Sequence, residues 1–132
     1  MCLTDLNNHL SLIKDLTETN ELLTRLKSSA LTASSYDGMP HAPGAGDKVG
    51  ALAVKLAELE TKVDELQRAV DNSKGEVLQF IDSITDNRTN LIFYLRYICE
   101  YEWRNIANMI GGGNTENGIK CAAYRYLHSQ RP

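Results

Sequence analysis

The chain has 132 residues, 42% of them apolar, with three prolines, three cysteines and a formal net charge of −3. That length suits one compact domain, or a small domain with an extended helical part, and the composition points to a soluble, mostly helical protein. No run of about 18 apolar residues occurs and the start lacks a charged-then-apolar signal pattern, so neither a membrane span nor export is expected.

Leu3, Leu6, Leu10, Ile13, Leu16, Leu22, Leu23 and Leu26 recur at three- and four-residue intervals, which predicts a first helix over about 3–26 with one apolar stripe. Thr4 is its expected N-cap, with Asp5 in the first turn where the helix dipole favours a carboxylate. The stripe weakens over Thr17 to Asn20, a place for a kink or a local loss of packing. Residues 28–46 then change composition sharply to Ser, Gly, Pro and Ala and read as a linker. The serine and glycine content favours a mobile segment, whereas the Met39-Pro40 step favours a fixed role.

From Asp47, a good cap, to about Ile84 the pattern is the most regular in the chain. Val49, Leu52, Leu56, Leu59, Val63, Leu66, Val70, Val77, Phe80 and Ile84 alternate by three and four, and only Ser73 interrupts them. A 3.5-residue period sustained this long predicts a coiled-coil helix of about 57 Å at 1.5 Å per residue. Its stripe must be buried against the first helix folded back antiparallel, or against a second chain. Self-association through the 47–84 helix is the expected solution, because an exposed apolar strip is a liability. Turn formers over Asp82 to Asn90 end the stalk near Asp86. The expected division is therefore a helical hairpin or coiled-coil stalk over 1–86 and a separate head over 87–132.

The head reads as helix, helix, glycine turn, helix. Leu91, Tyr94, Leu95 and Ile98 form one apolar set, Trp103, Ile106, Ala107 and Ile110 a second, and Ile119, Ala122, Ala123 and Tyr126 a third after Gly111, Gly112 and Gly113. The expected fold class is thus all-α, with a stalk followed by a three-helix helix-turn-helix domain. Asn114 or Thr115 is placed to cap the last helix, although Asn117-Gly118 is a turn dipeptide that would start it later.

On a helical wheel the last helix turns Ile119, Ala122, Ala123, Tyr126 and Thr115 to one side. Asn117, Lys120, Cys121, Tyr124, Arg125 and His128 fall on the other, a set of donors, cations and an aromatic ring with no carboxylate. Such a face suits base edges and phosphates. The expected DNA contacts are Asn117, Lys120, Tyr124 and Arg125, with Asn114, Thr115 and Arg104 at phosphates. Charge is distributed accordingly: residues 1–86 hold eight Lys+Arg against fourteen Asp+Glu, a net of −6, and residues 87–132 hold six against three, a net of +3. A duplex is expected to meet the cationic end, with weak, salt-dependent affinity for a single copy.

Arg96-Tyr97, Trp103-x-x-Ile106-Ala107, the glycine turn, Ile119 and Arg125-Tyr126-Leu127 together resemble region 4 of bacterial sigma factors, the promoter-reading domain. With Gly38-Met39-Pro40 and Asp47-Lys48-Val49 upstream, the chain is similar over about 37–127 to RinA/ArpU-type late transcription activators and their relatives in phages and prophages of Gram-positive bacteria. The longer turn and Gly118 depart from the sigma pattern. The resemblance implies a transcription regulator in the cytoplasm of a bacterial host, with double-stranded DNA and host RNA polymerase as partners. A phage terminase small subunit, or a coiled-coil adaptor whose head binds protein, is the alternative.

No enzyme is expected. The sequence contains no Walker loop, G-x-S-x-G or H-E-x-x-H motif, and its acidic pairs Glu58/Glu60 and Asp64/Glu65 read as the outer face of the stalk. Cys2, Cys99 and Cys121 contain no C-x-x-C pair and His9, His41 and His128 are scattered, so no disulfide framework, metal site or cofactor is expected. Cys99 reads as a small apolar residue packed in a helix and Cys121 as an exposed thiol.

Overall fold

The structure, a computed structural model, describes residues 1–34 and 45–130, with side chains for 1–29 and 49–130. The chain is all-α, two long helices followed by shorter ones. These are α1 (Leu3–Ser34), α2 (Ala45–Asp82), α3 (Asn87–Phe93, running on as a π turn over Tyr94–Ile98), α4 (Trp103–Ile110) and α5 (Glu116–Ser129).

The start of α1 is held by Asp5 rather than Thr4. The Asp5 carboxylate accepts from the Cys2 backbone N–H at 3.0 Å and from its thiol at 3.2 Å, and these two bonds hold the carboxyl below its usual pKa. A charged acceptor competes better for a free helical N–H than a hydroxyl does. No break follows at Thr17 to Asn20. Thr17 and Thr24 donate back to the carbonyls four residues earlier, at 3.0 and 2.9 Å, and the helix continues. It reaches Ser34, and α2 already begins at Ala45. The 28–46 linker is therefore shorter than expected, and Met39-Pro40 lies outside the described residues.

The chain packs as two compact units. One comprises Met1–Ser11 with Val70–Pro132, and the other Leu12–Ala69. The first unit holds the core: Leu6, Val77, Ile81, Ile84, Ile92, Phe93, Tyr97, Trp103, Ile106, Ala107, Ile119, Ala123 and Leu127 form one buried cluster. Its three short helical segments are too small to enclose a core alone, because surface dominates volume in a unit of fewer than about 50 residues. The first turns of α1 and the last turns of α2 complete it.

In the second unit α1 and α2 are bridged by the Lys27–Glu60 ion pair at 3.2 Å. Among its described side chains only Thr19 and Leu23 are buried, while Leu52, Leu56, Leu59, Val63 and Leu66 are half-buried and Leu22, Val49 and Val54 exposed. Two helices side by side shield one flank of each stripe and leave the other to solvent.

Between α2 and α3 side chains answer both helix ends. The Asn90 amide donates to the Ile81 and Ile84 carbonyls at 2.8 and 3.4 Å, which answers the unpaired acceptors at a helix end. Asp86 caps α3 by accepting from the Thr89 hydroxyl at 2.6 Å and its N–H at 3.0 Å. These bonds pull its carboxyl below the usual range.

The buried face of α3 is shifted from the one expected: of the expected set, Leu95 and Ile98 pack partly against the core. Ile92, Phe93 and Tyr97 are buried, whereas Leu91 and Tyr94 are exposed. Both faces are apolar, and burying the one with two aromatic rings removes more area from water. Phe93 stacks on Tyr97 with centroids 5.9 Å apart and meets Phe80 edge-on at 5.5 Å. Cys99 is likewise exposed rather than packed, because the π turn ends the helix at Ile98.

Ser73, the break in the α2 stripe, has a partner. His9 of α1 is 1% exposed, and its Nδ1 lies 2.8 Å from Ser73 Oγ. Burial pushes the His9 imidazole below its ordinary pKa of 6.5 and Lys74 adds to this, while a bond to the Tyr97 carbonyl and the charge of Glu100 act the other way. The folded state thus binds fewer protons than the unfolded state just below pH 6.5. The stability that neutral His9 contributes is complete above that pH and is lost as pH falls through the folded-state value. The denaturation midpoint of this unit, followed by its single tryptophan, is expected to fall between about pH 7 and pH 5 in the wild type. In His9→Gln it should stay level over the same window, since Asp5 and Asp86 act only near or below 3.8.

Candidate nucleic-acid interface

The turn between α4 and α5 is made by three consecutive left-handed glycines, Gly111, Gly112 and Gly113, with φ of 69°, 68° and 78°. Gly111 closes α4 by donating to the Ala107 carbonyl at 3.0 Å, the C-terminal role that glycine fills without strain. A Cβ at Gly112 would touch nothing closer than 3.9 Å, so Gly112→Ala carries only the backbone penalty of positive φ. Chemical denaturation should register a loss of about 1–2 kcal/mol.

Thr115 then caps α5. Its backbone is extended, and its hydroxyl accepts from the Gly118 N–H at 3.0 Å. The last helix therefore begins at Glu116, and the later start allowed by Asn117-Gly118 does not occur. A Cβ at Gly118 would lie 3.1 Å from the Thr115 oxygen, so glycine there leaves room for the cap. Thr115→Ala is expected to cost about 1 kcal/mol. The Gly118 amide should exchange faster in the same variant.

Along α5, Ile119, Ala123 and Leu127 are buried, while Asn117, Cys121, Tyr124, Arg125 and His128 are exposed and Lys120 is half-buried. The Lys120 ammonium lies 5.7 Å from the Tyr124 ring. Tyr124 in turn meets Trp103 edge-on at 6.2 Å, and the Arg96 guanidinium covers the Trp103 ring at 4.8 Å. Cations over aromatic faces are held by the ring quadrupole, so Tyr124 and Lys120 rest on a buried support. Arg96 also donates to the Tyr101 carbonyl at 3.1 Å, and its buried Nε has no partner. Tyr97, beneath Trp103, is pushed up to about 12 by burial.

Two of the three residues expected at phosphates, Asn114 and Thr115, are bonded within the protein, and the third, Arg104, has only a loose, exposed partner. Asn114 accepts from Arg88 at 3.0 Å and donates to the Gly111 carbonyl, which ties the turn to α3. The Thr115 hydroxyl is used as the cap. Arg104 lies 4.0 Å from Glu116, both largely exposed, a pair that contributes little to stability yet offsets the cation at the start of α5. Asn117, Lys120, Tyr124 and Arg125 share the outer face of α5 as expected.

Sequence reasoning missed Arg88, Arg96 and Glu116. Arg88 is separated from its partner by 26 positions, and no local pattern signals such a contact. Arg96 stood in the Arg96-Tyr97 pair, but its seat on Trp103 depends on the bend between α3 and α4. Among the described residues no cluster of His, Cys, Asp or Glu fits a metal ion, and no helix is long and apolar enough to cross a membrane. No protein-family model, curated protein or solved structure matches the chain.

Proposed function

We propose that the chain is a sequence-recognising DNA-binding protein of phage or prophage origin that regulates transcription in the bacterial cytoplasm. α4, the glycine turn and α5 act as its helix-turn-helix, and α5 is the helix that enters the major groove. The observation that carries this reading is the outer face of α5: Asn117, Lys120, Tyr124 and Arg125 lie together, without a carboxylate among them, on a helix whose start is capped and whose aromatic member is propped on Trp103. Arg and Lys suit guanine edges or phosphates and Asn suits adenine.

The modest net charge of +3 over residues 87–132 gives one copy few phosphate contacts. Two copies joined through the 47–84 helix, or host RNA polymerase alongside, supply the rest. The half-exposed stripe of α2 supports self-association.

The test is titration of random-sequence and phage-derived duplexes at low salt, read by quenching of Trp103, the single tryptophan. Binding that weakens steeply with salt is the expected result. No binding at low salt would remove the reading in favour of a protein-binding adaptor. A large ring by light scattering would move it to DNA packaging.

A further inference from the structure

His9 is a buried polar side chain that the proposed function does not use, and it joins three segments far apart in sequence. Its Nδ1 meets Ser73 of α2, and the other edge of the ring faces the Tyr97 carbonyl. That carbonyl belongs to the π turn, whose last turn leaves acceptors without a helical donor. A neutral ring with its proton on Nε2 can accept from the Ser73 hydroxyl at Nδ1, whereas a protonated ring has only donors and must carry its charge in a site that is 1% exposed.

The charged groups facing it are Lys74 from α2 and Glu100 from the segment after the π turn. On α1 itself, Asp5 is engaged with Cys2. The Tyr97 phenol stays neutral at any working pH. No carboxylate is bonded to the ring, and although Glu100 attracts a proton there more than Lys74 repels it, burial of the charge outweighs both.

The segment that His9 anchors also covers the end of α5. Cys2 and Leu3 line a cavity of about 130 Å³ together with Tyr124, Leu127 and His128. Leu3, Leu6 and Leu10 pack on the same core.

We propose that His9 is a proton-operated latch: neutral, it fastens Met1–Ser11 across α2 and the π turn, and protonated, it lets that segment detach and uncovers Leu127 together with the cavity-facing sides of Tyr124 and His128 on α5. The detached segment is the natural unit to leave first. It is one end of α1, held by three leucines and the His9 bonds, whereas α4 and α5 are held by the whole cluster. Local openings of this kind are drawn from the least buried elements. The latch does not depend on what α5 binds.

Amide hydrogen exchange of the full chain, followed from about pH 7.5 to pH 5 beside the ring-proton titration of His9, tests this. After correction for intrinsic rates, the amides of residues 7–11 should open about tenfold more for each unit by which His9 titrates below its ordinary value. Those of Ile106 and Ile119, buried in the cluster and open only when the whole unit unfolds, should stay far better protected at every pH. The response should vanish in His9→Gln, and also in His9→Leu with Ser73→Ala, which replaces both partners by apolar groups. Three results would overturn the latch: residues 7–11 as strongly protected as Ile106 and Ile119 at low pH, an unchanged response in either variant, or a His9 ring that titrates without any change over residues 7–11.

Discussion

Replacing Lys120 and Arg125 together by alanine is expected to weaken duplex binding by about a hundredfold at moderate ionic strength, and to lower the salt slope by about two. Arg125 is exposed and Lys120 half-buried, and neither is part of the buried cluster, so the fold should survive. Lys120 does contact the Tyr124 ring at 5.7 Å, a half-exposed interaction of about 0.5–1 kcal/mol. Far-UV circular dichroism should therefore match the wild type and the melting temperature should fall by a few degrees at most. Fluorescence titration at several salt concentrations measures both quantities. Unchanged affinity would detach α5 from DNA altogether. Unchanged slope with lower affinity would instead place both side chains on base edges.

Trp103→Ala is expected to have the largest effect on stability, a loss of about 3–5 kcal/mol by chemical denaturation. The indole is 7% exposed, meets Tyr97 edge-on at 6.5 Å and carries the Arg96 guanidinium at 4.8 Å. Truncation leaves a cavity between α3 and α5. It also leaves Arg96, whose Nε already has no partner, without a surface to lie on. Tyr124 loses the ring it rests on, so duplex affinity should fall even where the protein remains folded. Trp103→Phe keeps an aromatic edge and face at smaller volume, and should recover most of the stability. A stability loss below about 1 kcal/mol in the alanine variant would mean that Trp103 is not the anchor of this core.

The charge pattern and the two long stripes were legible because they are local. Helical periodicity predicted α2 within two residues of its ends, and the glycine run marked the turn that the left-handed φ values of Gly111, Gly112 and Gly113 require. Ile106, Ala107, Ile119 and Ala123 are buried as the spacing implied. The outer face of α5 followed from the same arithmetic, since opposite sides of one helix differ only by angle.

Where two local solutions were nearly equal, spacing could not choose. α3 offers an apolar face on each side, and the one with Phe93 and Tyr97 is buried because Phe80 and Tyr126 are there to meet it. Asn117-Gly118 reads as a turn in isolation, yet the Thr115 hydroxyl converts it into the first turn of α5. Likewise Asn114 reads as a free polar group in sequence, yet its amide oxygen accepts from Arg88, 26 positions away.

By itself, then, the sequence determined the helical class, the ends of α2, the glycine turn before α5, the cationic end and the residues on the outer side of α5. All of these depend on neighbours within about a turn of one another. Only the tertiary structure decided that α1 lends its first turns to the core, that His9 fills the gap at Ser73, and that Trp103 supports Tyr124. Those contacts join residues tens of positions apart, and each is settled by which surfaces leave water together rather than by the preference of any single segment.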